Sequence, residues 1–176
     1  MSRRPEMNLN DYIRNIPDFP KPGIQFKDIT PLLLNPEAFQ ESIDRLADHY
    51  ADQQIDLVVA AEARGFLFAA PLAIQLNAGL VPIRKPGKLP YETFRYTYEL
   101  EYGSDTLEMH TDAVRPGQRV LVLDDLLATG GTVTACCRMV EKLQATIVGC
   151  AFAIELMALG GRPKLAPYPV FSLLEL

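Results

Sequence analysis

A chain of 176 residues, 48% hydrophobic and 22% charged, has the make-up of one soluble globular domain. It is long enough to hold a core without staples, and the composition excludes a disordered chain, a fibre and a disulfide scaffold. Its 17 basic against 22 acidic residues, net charge -5, argue against bulk electrostatic binding of nucleic acid but leave room for a locally positive pocket.

Arg3 and Arg4 are followed by no apolar run, so no secretory signal is read, and the longest apolar stretch, 147–154, is too short to span a bilayer. A cytoplasmic protein without membrane or nucleic-acid partners is expected. Asn35-Pro36-Glu37 predicts a helix start, with an N-cap, a proline at the first helical position and an acid at the positive end of the dipole. Phe39, Ile43, Leu46 and Tyr50 continue it at helical spacing. The apolar run 57–61 predicts a strand buried on both faces. A polar loop, 62–65, and a helix over 66–76 that contains Pro71 follow. Strands are predicted at 80–83, 120–123 and 146–154, with a helix over 132–143. Cys136, Cys137 and Cys150 are odd in number and lack metal-ligand spacing, so they are read as reduced, buried thiols.

This order predicts an α/β fold: a mostly parallel twisted sheet flanked by helices, with ligands beyond the carboxyl ends of the strands. The segment 91–110 departs from it. Phe94, Tyr96, Tyr98, Leu100 and Tyr102 alternate with Arg95, Thr97, Glu99 and Glu101, which is the period of a strand, and 103–105 turns the chain into a second one. With its basic, turn-rich leader 85–90, this inserted hairpin is either a lid over a site or an edge decoration.

The chemistry concentrates at 120–132. A buried strand ends in Asp124 and Asp125, and a loop of small residues leads into a helix. The N–H groups of Ala128, Thr129, Gly130, Gly131 and Thr132 can converge on one phosphate at that helix start. The loop carries no basic side chain, which excludes a Walker loop, and there is no dinucleotide-binding glycine fingerprint. Adjacent carboxylates repel phosphate but accept from hydroxyls, so a phosphate beside a diol, as in a ribose 5-phosphate, fits both halves of the motif. The alternative is an acid pair that caps the helix and faces solvent.

Residues 124–132 resemble the phosphoribosyl pyrophosphate motif of the type I phosphoribosyltransferases. Residues 18–30, Glu62-Ala63-Arg64-Gly65-Phe66, the segment 84–90 and Leu100-Glu101-Tyr102-Gly103 resemble, in order and spacing, the adenine phosphoribosyltransferases of that family. The resemblance implies one domain over 1–176, with a base-binding hood at 1–35 and a flexible lid at 86–110. It implies transfer of a phosphoribosyl group to adenine in purine salvage, giving AMP and pyrophosphate, with Mg2+, in a homodimer. The alternatives are a phosphoribosyltransferase for another base and a non-catalytic phosphoribosyl pyrophosphate sensor.

Residue by residue, the resemblance places the 5-phosphate on 128–132 and the ribose hydroxyls on Asp124 and Asp125, which would touch a metal only indirectly. Pyrophosphate falls to Arg64, Arg84, Lys85 and Lys88, with Arg84 able to reach the neighbouring subunit. Phe26 would stack on adenine and backbone groups of Gln25 and Lys27 would read the base edge, although the family more often carries an apolar residue and an arginine at 25 and 27. Glu101 would orient adenine and take its proton; Tyr102 reaches the site only if the strand bends near Gly103. The resemblance also suggests that the Glu62–Ala63 peptide is strained or cis.

Overall fold

The computed structural model describes residues 7–99 and 103–176; Glu101 and Tyr102 lie outside the described residues. The chain divides into two units, one up to Arg45 and one from Leu46.

The first unit opens with a 3-10 turn, Leu9–Tyr12, capped by the Asn8 side chain. Strands β1 (Arg14–Ile16) and β2 (Phe26–Asp28) pair antiparallel. Phe19 meets Phe26 edge to face at 5.1 Å between ring centres. Asp28 accepts from the Thr30 N–H and hydroxyl, which sets the start of α1 (Thr30–Leu34). Helix α2 (Pro36–Tyr50) begins as its sequence predicts, with Asn35 Oδ1 accepting from the Ala38 N–H at 2.8 Å.

The second unit holds β3 (Leu57–Ala61), α3 (Gly65–Gln75), β4 (Gly79–Ile83), β5 (Thr93–Glu99), β6 (Ser104–His110), β7 (Arg119–Leu127), α4 (Gly131–Lys142), β8 (Thr146–Glu155) and β9 (Val170–Glu175). Five of these strands form a sheet in the order β4-β3-β7-β8-β9, and every pair in it is parallel. The α/β expectation therefore holds. Val58–Ala60 and Val120–Leu123 are buried, as strands covered on both faces must be. The three cysteines are free and buried, as read. Among the described residues no helix is long and apolar enough to cross a membrane.

Three features correct the sequence reading. First, β7 does not stop at Leu123. Its ladder with β8 continues through Asp124↔Phe152, Leu126↔Ile154 and Leu127↔Glu155, so Asp124 and Asp125 are strand residues. Backbone pairing holds this stretch extended whatever its side chains. Second, β9 was not anticipated. It follows Pro167 and Pro169 and pairs parallel with β8.

Third, the hairpin β5–β6 is only partly separate. Phe94, Tyr96 and Tyr98 are half-buried while Arg95, Thr97 and Glu99 face solvent, so the predicted alternation is observed. On β6, however, Leu107 and Met109 are buried within the core cluster. A lid that swings as one body over 86–110 would have to tear them out. The structure narrows any moving part to the outer portion of the hairpin and its leader.

Candidate active site

Strands β3 and β7 are neighbours, with Ala60 opposite Leu123, and the connections that follow them run to opposite sides of the sheet. This is the topological switch point, where the strand ends leave a crevice for ligands. At the end of β3 the Glu62–Ala63 peptide is cis, as the resemblance suggests. Helix α3 then starts at Gly65, where an added Cβ would lie 2.7 Å from Asp124 Oδ1. The glycine lets the helix start lie against the acid on the neighbouring strand.

The first acid accepts from the Asp125 N–H at 2.9 Å. Asp125 is buried, and its Oδ2 stands 2.9 Å from Arg64 Nε. Burial pushes the Asp124 carboxyl well above its usual range, and the adjacent Asp125 charge adds to the rise. Burial raises Asp125 too, opposed by the Arg64 guanidinium. Two desolvated carboxylates side by side call for donors, and a vicinal diol supplies them.

Beyond Asp124, a cleft of about 90 Å³ is lined by Leu126, Leu127, Ala128, Thr129, Gly130, Gly131, Thr132 and Val133. All five residues assigned to the 5-phosphate are in that lining. Gly130 caps α4 in the left-handed region, φ 83°, and brings no side chain to the helix start. The first N–H groups of a helix have no partner within it, so this cap leaves them for an anion. Tyr98 of the hairpin reaches this loop, with its hydroxyl 3.3 Å from Thr132 Oγ1.

The predicted pyrophosphate cations gather on carboxylates. Glu62, 8% exposed, accepts from Arg84 Nη2 at 3.1 Å, the Lys85 N–H at 2.5 Å and Lys88 Nζ at 2.7 Å. Burial pushes Glu62 up, but these three hydrogen bonds outweigh it and hold its pKa at about 2. Lys85 Nζ pairs with Asp105 of β6. Glu108, buried on the same strand, accepts from the Gly87 N–H at 2.9 Å and from Arg95 Nε at 2.6 Å. Sequence reasoning missed these holding acids. Glu62 stood in the quoted motif, but nothing local ties it to Lys88.

The adenine residues belong to the first unit. Phe26 opens β2, and Lys27 Nζ donates to Asn15 Oδ1 at 2.6 Å. That side chain is engaged, which favours reading by backbone at this position. Glu101 and Tyr102 lie outside the described residues.

A parallel sheet with an anion cradle, paired acids and a cation at its switch point defines a phosphoribosyl-transfer domain, and the phosphoribosyl transferase domain family matches residues 29–174. Among its relatives is adenine phosphoribosyltransferase of Rhodopirellula baltica, 62% identical over 96% of this chain and 82% of the relative. The crystal structure of adenine phosphoribosyltransferase from Thermoanaerobacter pseudethanolicus is 55% identical, with TM-score 0.93 over 96% of this chain and 98% of that one. The Saccharomyces cerevisiae adenine phosphoribosyltransferase, solved with an imino-altritol bisphosphate and adenine, is 44% identical, with TM-score 0.88 over 94% of this chain and 96% of that one. The chain belongs to the adenine phosphoribosyltransferase family.

Proposed function

We infer that this protein transfers the 5-phosphoribosyl group from phosphoribosyl pyrophosphate to adenine, giving AMP and pyrophosphate. The observation that carries this reading is the end of β7, where Asp124 and Asp125 run directly into the small-residue cradle at the start of α4. The yeast relative's bisphosphate and adenine ligands match the chemistry expected here.

In this reading the N–H groups of 128–132 hold the 5-phosphate while Asp124 and Asp125 accept from the ribose hydroxyls, which fixes the sugar for attack at C1. The C1–O bond breaks and its electron pair leaves with pyrophosphate. Arg64, Arg84, Lys85 and Lys88 stabilise that charge by exchanging their carboxylate partners for phosphate oxygens. Adenine, stacked on Phe26 with its edge read by backbone groups of Gln25 and Lys27, attacks through N9, and Glu101 takes the N9 proton, with Tyr102 beside it. The outer hairpin excludes water from the developing cation.

Among the described residues no three His, Cys, Asp or Glu side chains gather to hold a metal. Magnesium would be carried by the oxygens of phosphoribosyl pyrophosphate, with the carboxylates of Asp124 and Asp125, at the end of β7, near it only indirectly. When bound, the ion neutralises leaving-group charge.

The functional unit we propose is one domain over 1–176, acting in the cytoplasm as a homodimer. Leu67 and Ile74 on one face of α3, and Leu80 on the edge strand β4, are exposed apolar side chains that a second copy would cover. The functional test is a panel of bases given with phosphoribosyl pyrophosphate and magnesium. Adenine should yield AMP, whereas hypoxanthine, guanine and orotate should give little product. Equal or better turnover of another base would overturn the reading.

A further inference from the structure

The Gly160-Gly161 pair sits in the loop after β8, outside every motif quoted from the sequence, and the two glycines differ in kind. Gly160 is in the left-handed region, φ 59°, and a Cβ on it would meet nothing within 4 Å. Gly161 is the reverse. Its φ of -73° and ψ of -33° suit any residue, so backbone freedom does not explain the glycine. A Cβ there would collide with the Ala128 carbonyl oxygen and lie 2.9 Å from Leu127 Cδ1 and 3.1 Å from the Gly130 nitrogen. In return, a Cβ on Gly130 would lie 3.0 Å from the Gly161 carbonyl oxygen. Backbone is packed on backbone, and the loop it backs is the 5-phosphate cradle.

The next residue fastens this wall. Arg162 donates from Nε to Glu155 Oε1 at 3.0 Å, from Nη2 to Glu155 Oε2 and to Glu175 Oε1 at 2.9 Å, and from Nη1 to the Val170 carbonyl at 3.1 Å. Glu155 is 2% exposed and also accepts from Ser172 Oγ at 2.8 Å. It ends β8, in register with Leu127 of β7 on one side and Glu175 of β9 on the other. One guanidinium therefore ties Gly161 to the strand ends from which the cradle departs.

We propose that Gly161 and Arg162 are positioning residues for the 5-phosphate: Gly161 is the back wall of the cradle and Arg162 the clasp that holds it. This rests on the assignment of 128–132 to the 5-phosphate. Neither residue touches substrate. Backbone N–H groups cannot readjust as flexible side chains can, so the cradle's geometry is only as good as the surface behind it.

The test compares Gly161→Ala, Arg162→Lys and Gly160→Asn with wild type. Asparagine tolerates the left-handed conformation, and Arg162→Lys keeps a charge beside Glu155, so both should fold. Gly161→Ala and Arg162→Lys should raise the KM for phosphoribosyl pyrophosphate about tenfold or more and weaken ribose 5-phosphate binding alike, with the adenine KM within about twofold. Gly160→Asn should leave all three unchanged. Folded variants with wild-type values for the sugar substrate would overturn the proposal, as would equal losses for both substrates, which mark general damage. Should Gly161→Ala fail to fold, Arg162→Lys decides. A wild-type protein that binds ribose 5-phosphate but makes no AMP would fault the functional reading and leave the wall measurable by binding.

Discussion

Asp124 stands where a neutral side chain would suit the fold better. Burial first, and the neighbouring Asp125 charge second, raise its pKa well above the usual 3.8. An acid with a raised folded-state pKa binds its proton more tightly when folded. Stability is therefore greatest below the ordinary value and declines as pH rises through the raised one. Asp124→Asn should accordingly melt at a higher temperature than wild type at neutral pH, with the gap closing toward pH 4 (about the ordinary carboxyl value), while its use of phosphoribosyl pyrophosphate falls. Thermal melts over pH together with steady-state kinetics check both halves; a variant that is less stable at neutral pH would contradict the electrostatic account. Glu62 behaves in the opposite sense. Its hydrogen bonds from Lys88, Lys85 and Arg84 outweigh burial and depress its pKa from 4.5 to about 2. The stability it contributes is present above 4.5 and is lost as pH falls through about 2. Glu62→Gln should melt lower than wild type at pH 7, and the difference should shrink across that acid window.

At the level of elements, the inserted hairpin has two characters. Leu107 and Met109 are part of the core, whereas the leader is held through Lys85 on Asp105, Lys88 on Glu62 and the Gly87 N–H on Glu108. Pyrophosphate would compete for those lysines. Hydrogen exchange should show residues 86–99 gaining protection when magnesium pyrophosphate is added, with Leu107 and Met109 protected throughout. Unchanged exchange in 86–99 would remove the lid from the mechanism. This division was not readable in the sequence, because alternation marks a strand's two faces but not what covers them. Strands β3, β7 and β8 were legible as unbroken apolar runs with polar loops behind them. The tail of β7 was not, since Asp124 and Asp125 look like loop residues until β8 pairs with them. The cradle was legible because its chemistry is contiguous from 124 to 132. The Glu62–Lys88 pair and the wall at Gly161 were not, because each joins segments that only the sheet brings together.

For the whole molecule, the exposed Leu67, Ile74 and Leu80 predict self-association. Sedimentation should give a dimer for wild type and a shift toward monomer for Ile74→Glu; a wild-type monomer at assay concentrations would contradict the dimer. The account as a whole rests on one placement, that of the nucleotide's phosphate at the turn from β7 into α4. A crystal structure of the protein grown with AMP tests that placement most directly. The account predicts the phosphate seated on the N–H groups of 128–132, with the ribose hydroxyls on Asp124 and Asp125. AMP bound elsewhere, or with its phosphate on Arg84 and Lys88 and the cradle unused, would contradict it.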